Sequence, residues 1–325
     1  MATVLVTDAA PSRRRALWLD VAERGTVAGI WFFVWLSTAF GRGLSRFVLR
    51  FVVFYYTLAH RSLRSTSAAY LTRVHGRATL AMVYGHVLRF AEAALDRAFI
   101  VRGKLDHFKV TRTGHEHLRD LVSAGRGAIL LGAHLGSFEA MRIQGDRHGL
   151  RINFVGYFKN ARMLNSALRT LNPEATARFI PIEGSSFDFV LRVRERIEAG
   201  ELVAVMGDRV GPAAASSSES RVATVDFLGG KADFPTGAYV LASLLKCPIV
   251  LTFGLYRSPD RYELYCEPFA HEVRLPRGGG RRPGEAGDRD AALQEYAQRF
   301  ASRLEYFVRL APDNWFNFYE FWRKP

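Results

Sequence analysis

Thirteen consecutive residues, Gly127-Ala-Ile-Leu-Leu-Gly-Ala-His134-Leu-Gly-Ser-Phe-Glu139, constrain what this chain can fold into more than any other stretch. Ala128 to Leu131 form a short apolar run between Gly127 and Gly132, the pattern of a strand covered on both faces. His134 follows at its carboxyl end, where open α/β sheets hold their ligands. If Gly136 and Ser137 open the next helix, Glu139 lies one turn in and its carboxylate can fold back onto the His134 ring. Such a carboxylate fixes the tautomer and stabilises the imidazolium formed when the other nitrogen takes a proton from a hydroxyl. The backbone N–H groups of Gly136 and Ser137, at the helix start, are the candidate oxyanion donors. Glu139 acting as the base itself is a variant of the same reading. A second histidine with an acid five positions on, His115 with Asp120, sits in a polar stretch whose apolar residues, Leu118, Leu121 and Val122, mark one face of a solvated helix. His115 is therefore read as an exposed or capping residue.

The rest of the chain alternates between helical and strand patterns. Ser67 to Phe90 reads as a helix, Phe99 to Arg102 and Phe108 to Thr111 as short strands, and a helix then ends near Gly125. After the His134 segment come a strand from Arg151 to Val155, a helix from Arg162 to Leu171 and a strand from Arg178 to Ile182. Ser185 with Asp188 makes a capping box for a helix running to Ala199, and Leu202 to Met206 is a buried strand. Residues 211 to 220, rich in Ala and Ser, read as a mobile loop in a position to gate a substrate. A helix from Gly237 to Lys246, strands from Ile249 to Tyr256 and Arg261 to Glu267, a Gly/Arg/Pro loop at 276 to 288 and a last helix to about Leu310 complete the pattern. It predicts an α/β fold with a mixed central sheet flanked by helices and no internal repeat.

The N-terminal region has a different character. From Gly25 to Gly41 the chain carries no charge and holds Trp31, Phe32, Phe33 and Trp35; this is at the short limit for a membrane span, for which about 17 residues is the minimum. A second aromatic-rich stretch, Phe47 to Leu58, is interrupted by Arg50. Together they read as an apolar helical hairpin, embedded in the membrane or lying at its interface. Residues 1–62 thus form a membrane-associating region and 63–325 the α/β domain. The opening residues do not read as a cleaved signal, because Asp8, Asp20 and Glu23 surround the basic triplet. Of the formal charge of +14, residues 1–110 carry +10, with 16 Arg and Lys against 6 Asp and Glu. Basic residues beside an apolar segment favour an anionic membrane, by roughly 1 kcal/mol each, and a basic face also suits an acidic carrier protein. No zinc spacing, RNP-like aromatic block or bZIP pattern supports a nucleic-acid partner. The two cysteines, Cys247 and Cys266, exclude a disulfide framework and point to a reducing cytoplasm.

Several blocks carry a resemblance that covers most of the chain. These are His134 to Glu139 in its strand context; Gly200-Glu-Leu-Val-Ala-Val-Met-Gly-Asp208-Arg209-Val-Gly-Pro212; Phe234-Pro-Thr-Gly237, where a Thr-Gly pair opens a helix; and Leu310-Ala-Pro-Asp-Asn-Trp315-Phe-Asn-Phe-Tyr. In this order they resemble the late acyltransferases of bacterial lipid A biosynthesis, members of the lysophospholipid acyltransferase superfamily with an H-x-x-x-x-(D/E) signature. The wording near Glu139 and the Trp-Phe-Asn-Phe-Tyr tail are most similar to a subgroup that accompanies aryl polyene pigment assembly. Three departures stand out. Asp208 is followed by Arg209 where the family usually has a second aspartate. The family's Tyr-Arg-Pro stretch has no direct counterpart, with Lys159 or Arg162 standing in for its arginine. The Phe-Pro-Glu-Gly block of the glycerol-phosphate branch is absent, which argues against a lysophosphatidate acceptor.

The resemblance implies a glycerolipid acyltransferase-like fold and an enzyme at the cytoplasmic face of the bacterial inner membrane. It would move a fatty or polyene acyl group from an acyl carrier protein or coenzyme A thioester to a hydroxyl of a lipid or glycolipid. His134 would be the base and Glu139 its orienting carboxylate. Gly136, Ser137, Lys159, Asp208 and Arg209 are the substrate-binding candidates, the last three for the carrier's phosphopantetheine or an anionic acceptor head. Such chemistry needs no metal and no cofactor. Two rivals are a lipid-processing serine hydrolase using Ser137, which lacks a G-x-S-x-G elbow, and a non-catalytic membrane-docked scaffold.

Overall fold

The computed structural model describes residues 27–101, 104–156, 178–182, 186–210, 222–276 and 288–322. Lys159, the helix expected over 162–171, and the loops at 211–220 and 277–287 lie outside the described residues. Strands β1 (Lys109–Thr113), β2 (Ala128–Gly132), β3 (Ile152–Gly156), β4 (Phe179–Pro181), β5 (Leu202–Met206), β8 (Ile249–Arg257) and β9 (Arg261–Ala270) form one seven-stranded sheet in the order β1-β9-β8-β2-β5-β3-β4. The pairs on either side of β2, with β5 and with β8, are parallel, and the β8–β9 pair is antiparallel. The sheet is therefore mixed, as the alternation predicts, and is mostly parallel. Every residue of β2 is buried, because neighbours flank it on both edges and helices cover both faces. Burial of Ile129, Leu130 and Leu131, each at most 1 % exposed, stabilises the fold by roughly 1.5–3 kcal/mol apiece.

A separate two-stranded hairpin, β6 (Val222–Phe227) and β7 (Gly230–Pro235), was not anticipated as strands. Ala223, Val225 and Phe227 alternate with more exposed residues and pack on the last helix. The turn has two residues, Leu228 and Gly229, both at positive φ (48° and 70°). That is the geometry hairpin twist prefers, but a leucine in place of the usual Asn or Asp hides the signal.

Flanking helices are α4 (Glu116–Ser123), α5 (Phe138–Arg147), α6 (Ser186–Glu198), α7 (Gly237–Leu245) and α8 (Asp288–Leu310). Three more precede the sheet: α1 (Val27–Ala59), α2 (Arg61–His75) and α3 (Leu80–Val101). Two expectations are corrected here. The single helix over Ser67 to Phe90 is two helices, because Gly76 takes a left-handed cap (φ 76°) and its N–H closes on the Thr72 carbonyl. The strand expected over Phe99 to Arg102 is not present in the described residues, since α3 continues through Val101; burial of Phe99 and Ile100 in the helix–sheet core gives their apolar run.

The two N-terminal aromatic stretches fall on either side of a kink in α1 at Gly41 (φ 79°, ψ 178°). No helix among the described residues is long and apolar enough to cross a membrane, so the expectation of a spanning segment is set aside there. One face of α1 is anchored by buried ion pairs. Arg42 makes a bidentate contact with Asp96 (2.7 and 2.8 Å), and Arg46 reaches Glu92 at 2.5 Å. Arg89 joins Glu92 to Asp313, at 2.8 Å each. Asp96 and Glu92 are fully buried, and leaving such a charge unpaired costs about 3–5 kcal/mol. The docking of α1 against α3 is thereby specified by charge as well as by the Leu49 and Val53 side chains, which join the common core.

Candidate active site

Register places the site. In the parallel pair β2–β5, Gly132 lies opposite Met206; His134 and Asp208 each follow two residues later, so the two chains leave the sheet side by side. The Gly207 N–H still donates to the Gly132 carbonyl at 2.8 Å, which extends the pairing one step beyond the strands. The Asp208 carboxylate then meets His134 twice. Its Oδ1 accepts from the ring Nδ1 at 2.8 Å and its Oδ2 from the His134 backbone N–H at 3.0 Å. A third donor, the Trp315 indole Nε1–H, reaches Oδ2 at 3.1 Å. With Nδ1–H committed to a carboxylate, the lone pair of the ring sits on Nε2. The His134 side chain is 34 % exposed and that of Asp208 1 %: an accessible imidazole on a buried acid.

Charges around the pair act in definite directions. Burial would push Asp208 up, but the charge and hydrogen bond of His134, with Arg209 behind them, bring its pKa down to about 2. Desolvation and then the Arg209 charge hold the His134 imidazolium below its ordinary value, against the opposing pull of Asp208 and Glu139. The ring is accordingly neutral near pH 7 and able to accept a proton.

The carboxylate on the His134 ring is that of Asp208, not Glu139. Glu139, in the first turn of α5, forms an ion pair with Arg97 of α3 and acts on His134 only through space. Side chains in a helix lean toward its N-terminus and outward, and here that direction leads Glu139 to α3. The proposed oxyanion donors also differ from expectation. The Gly136 N–H donates to the Asn314 carbonyl at 2.8 Å and the Ser137 N–H to the Gly254 carbonyl at 2.7 Å, so both amides already have partners. The Ser137 hydroxyl, 2 % exposed, accepts the Ala140 N–H at 3.2 Å and serves as a helix cap. Burial and this capping role argue against its use as a nucleophile.

Gly136 makes this loop possible. It has φ +68°, and a Cβ there would lie 1.9 Å from the Gly254 carbonyl oxygen. The loop carrying His134 thus rides directly on the backbone of β8. From the other side a C-terminal segment straps it down: Leu135 bridges Trp315, and the Phe316 N–H donates to the His134 carbonyl at 3.0 Å. Arg209 is tied to the same strap through the Phe316 carbonyl at 2.7 Å, with its guanidinium 5.5 Å from the Tyr319 ring centre. The sequence contains no local signal for the Arg97–Glu139 pair or for the Trp315–Asp208 bond, because each joins elements far apart in the chain. His115 sits half-exposed at the start of α4 beside Glu116, far in role from the dyad.

A seven-stranded, mostly parallel sheet flanked by helices, with a carboxylate-held histidine just beyond the carboxyl ends of two adjacent parallel strands, defines the class as an α/β fold. A sequence model of the bacterial lipid A biosynthesis acyltransferase family matches residues 85–324, and the protein belongs to that family. It is therefore an acyltransferase acting on a lipid acceptor. No curated protein sequence matches the chain significantly.

Proposed function

We propose that the protein transfers an acyl group from a carrier-protein or coenzyme A thioester to a hydroxyl of a lipid or glycolipid, with His134 as general base and Asp208 as its orienting carboxylate. The observation that carries this is the 2.8 Å contact between His134 Nδ1 and Asp208 Oδ1, which frees Nε2 to face substrate. As the acceptor oxygen attacks the thioester carbonyl carbon, Nε2 takes its proton and a C–O bond forms. The tetrahedral oxyanion then collapses, the C–S bond breaks, and the imidazolium returns the proton to the departing thiolate. Arg209, close enough to bias His134 electrostatically, supplies positive charge for the oxyanion. Glu139 holds the start of α5 to α3 through Arg97 and adds negative potential near the imidazolium.

The experiment is acyl transfer from a radiolabelled acyl carrier thioester to a lipid extract. Label enters the lipid fraction with the unaltered protein, and His134→Ala lowers that rate by roughly 10²–10⁴-fold, the range that positioned acid–base groups contribute. Lipid labelling by His134→Ala at the unaltered rate would refute the base assignment; release of free fatty acid alone would favour a hydrolase.

Lipid delivery is assigned to α1. Beyond the kink, Phe47, Phe51, Phe54, Tyr55 and Leu58 are each 47–66 % exposed and share one face at helical spacing, while Arg46, Leu49, Val53 and Thr57 are buried on the other. An exposed aromatic stripe of this length, with Arg50 exposed within it, fits an anionic bilayer surface. The reading is peripheral docking on the cytoplasmic face of the inner membrane. Phe51→Glu combined with Phe54→Glu is expected to weaken binding to phosphatidylglycerol-containing vesicles by roughly a hundredfold or more, since each buried Phe contributes about 1.5–3 kcal/mol. Vesicle flotation measures this, and unchanged flotation would refute the docking face.

A further inference from the structure

Asp208 is held from its far side by a chain of hydrogen bonds that begins in the N-terminal helices. Ser67 of α2 and His86 of α3 are fully buried, and the Ser67 hydroxyl lies 2.9 Å from His86 Nδ1. His86 Nε2 lies 3.0 Å from the Trp315 carbonyl. A carbonyl can only accept, so Nε2 carries the hydrogen and Nδ1 accepts from Ser67. Complete burial pushes the His86 pKa down to about 4, which keeps this ring neutral and its tautomer fixed. Tyr70 of α2 adds a bond from its hydroxyl to the Pro312 carbonyl at 2.6 Å. The strap is thus gripped at Pro312 and Trp315, and the gripped tryptophan points its one polar hydrogen at Asp208 Oδ2, 3.1 Å away.

We infer that Trp315 is a positioning residue for the transfer reaction, with His86 as its anchor: the indole N–H fixes which Asp208 oxygen faces the imidazole and so sets the basicity and aim of His134. This rests on His134 being the base. Trp315 is 1 % exposed and packs edge-on against Tyr70, Phe227 and Phe321, with ring centres 4.8–5.2 Å apart. Those contacts alone would explain a tryptophan as a core residue. The donor aimed at a buried carboxylate is what they do not require, since phenylalanine fills most of the same space without it.

Trp315→Phe keeps the ring and deletes the donor, which makes the substitution informative. A hydrogen bond to a charged group is strong enough for its loss to be read as roughly a tenfold or larger fall in kcat, and KM stays nearly constant because nothing that touches substrate has changed. The pH profile discriminates further. kcat/KM rises with pH as the His134 imidazolium loses its proton. A carboxylate stripped of one donor holds that proton more tightly, so the rise moves to higher pH in Trp315→Phe. The other charged or titratable groups facing the pair, Arg209, Glu139 and Tyr319, are unaltered and supply no competing shift.

A folded Trp315→Phe protein with unchanged kcat and pH profile would overturn the inference, as would a fall in kcat with no movement of the pH rise, which is the mark of packing alone. A readout independent of activity covers failure of that variant to fold. The chain has five tryptophans, so indole N–H signals of nitrogen-15-labelled protein are few. Asp208→Ala leaves the indole N–H without its acceptor and should move one of them strongly upfield. If none moves, the indole–carboxylate bond does not exist, whatever the fate of the His134 assignment.

Discussion

Asp208→Asn is expected to lower acyl transfer by roughly 10²–10⁴-fold, while Glu139→Gln loses at least tenfold less. The physical reason for the first is a tautomer reversal. Asp208 Oδ2 accepts from both the His134 backbone N–H and the Trp315 indole. An asparagine must place its carbonyl oxygen there, and its NH₂ group then faces Nδ1. Nδ1 becomes an acceptor, the ring proton moves to Nε2, and the base is lost with the geometry intact. Glu139→Gln removes an ion pair with Arg97 and a through-space influence on His134, neither of which sets the tautomer. Steady-state rates for both variants, with folding checked by circular dichroism, decide the matter. Equal losses would return the orienting role to Glu139.

Gly136→Ala is expected to destabilise the protein by about 4 kcal/mol or more, enough in many domains to prevent folding. Two costs combine. Left-handed backbone disfavours any Cβ, by roughly 1–2 kcal/mol, and here the Cβ would also lie 1.9 Å from the oxygen and 2.8 Å from the carbon of the Gly254 carbonyl. Backbone cannot swing aside as a side chain can, so either β8 shifts or the His134 loop lifts. Gly76→Ala is the internal control: φ there is +76° with nothing within 4 Å, and its cost is the conformational part alone, about 1–2 kcal/mol. Urea denaturation of the two variants separates the contributions. Equal midpoints would show that the loop does not ride on β8 as closely as described.

The way the site was legible in the chain follows the range of each interaction. β2, the start of α5 and the exposure of His134 at a strand end are local matters, encoded in an apolar run, two bounding glycines and the polar residue beyond them. β5 could be read to its exact bounds for the same reason, and Asp208 was visible beyond it as one acid in an acidic turn. The contact between the two was not visible. It depends on β2 and β5 being neighbours in register, which no spacing within either segment states. Glu139 seemed the natural partner because it is near in sequence, whereas the helix directs its carboxylate to Arg97. The oxyanion role given to the Gly136 and Ser137 amides failed similarly: a carbonyl from β8 and another from the strap already occupy them.

For α1 the limit was facial. Composition marks Val27 to Ala59 as apolar around most of its circumference, so periodicity gives no orientation. The partly buried Arg42 and the buried Arg46, which look like solvent-facing residues in the sequence, are the ones that choose the inner face, because Asp96, Glu92, the Ser258 hydroxyl and the Pro259 carbonyl wait for them. A charge is expensive to bury without a partner and inexpensive with one.

By itself the sequence determined the α/β class, most strand and helix positions, the place of His134 at a strand end and a family resemblance carried by several ordered blocks, since each is written in short-range pattern. Only the tertiary structure decided which acid holds that histidine, which face of α1 is left uncovered, and that a strap from the far end of the chain supports the site. These depend on strand order and on side-chain direction across long gaps in sequence, where the energy of a contact belongs to two segments and is recorded in neither alone.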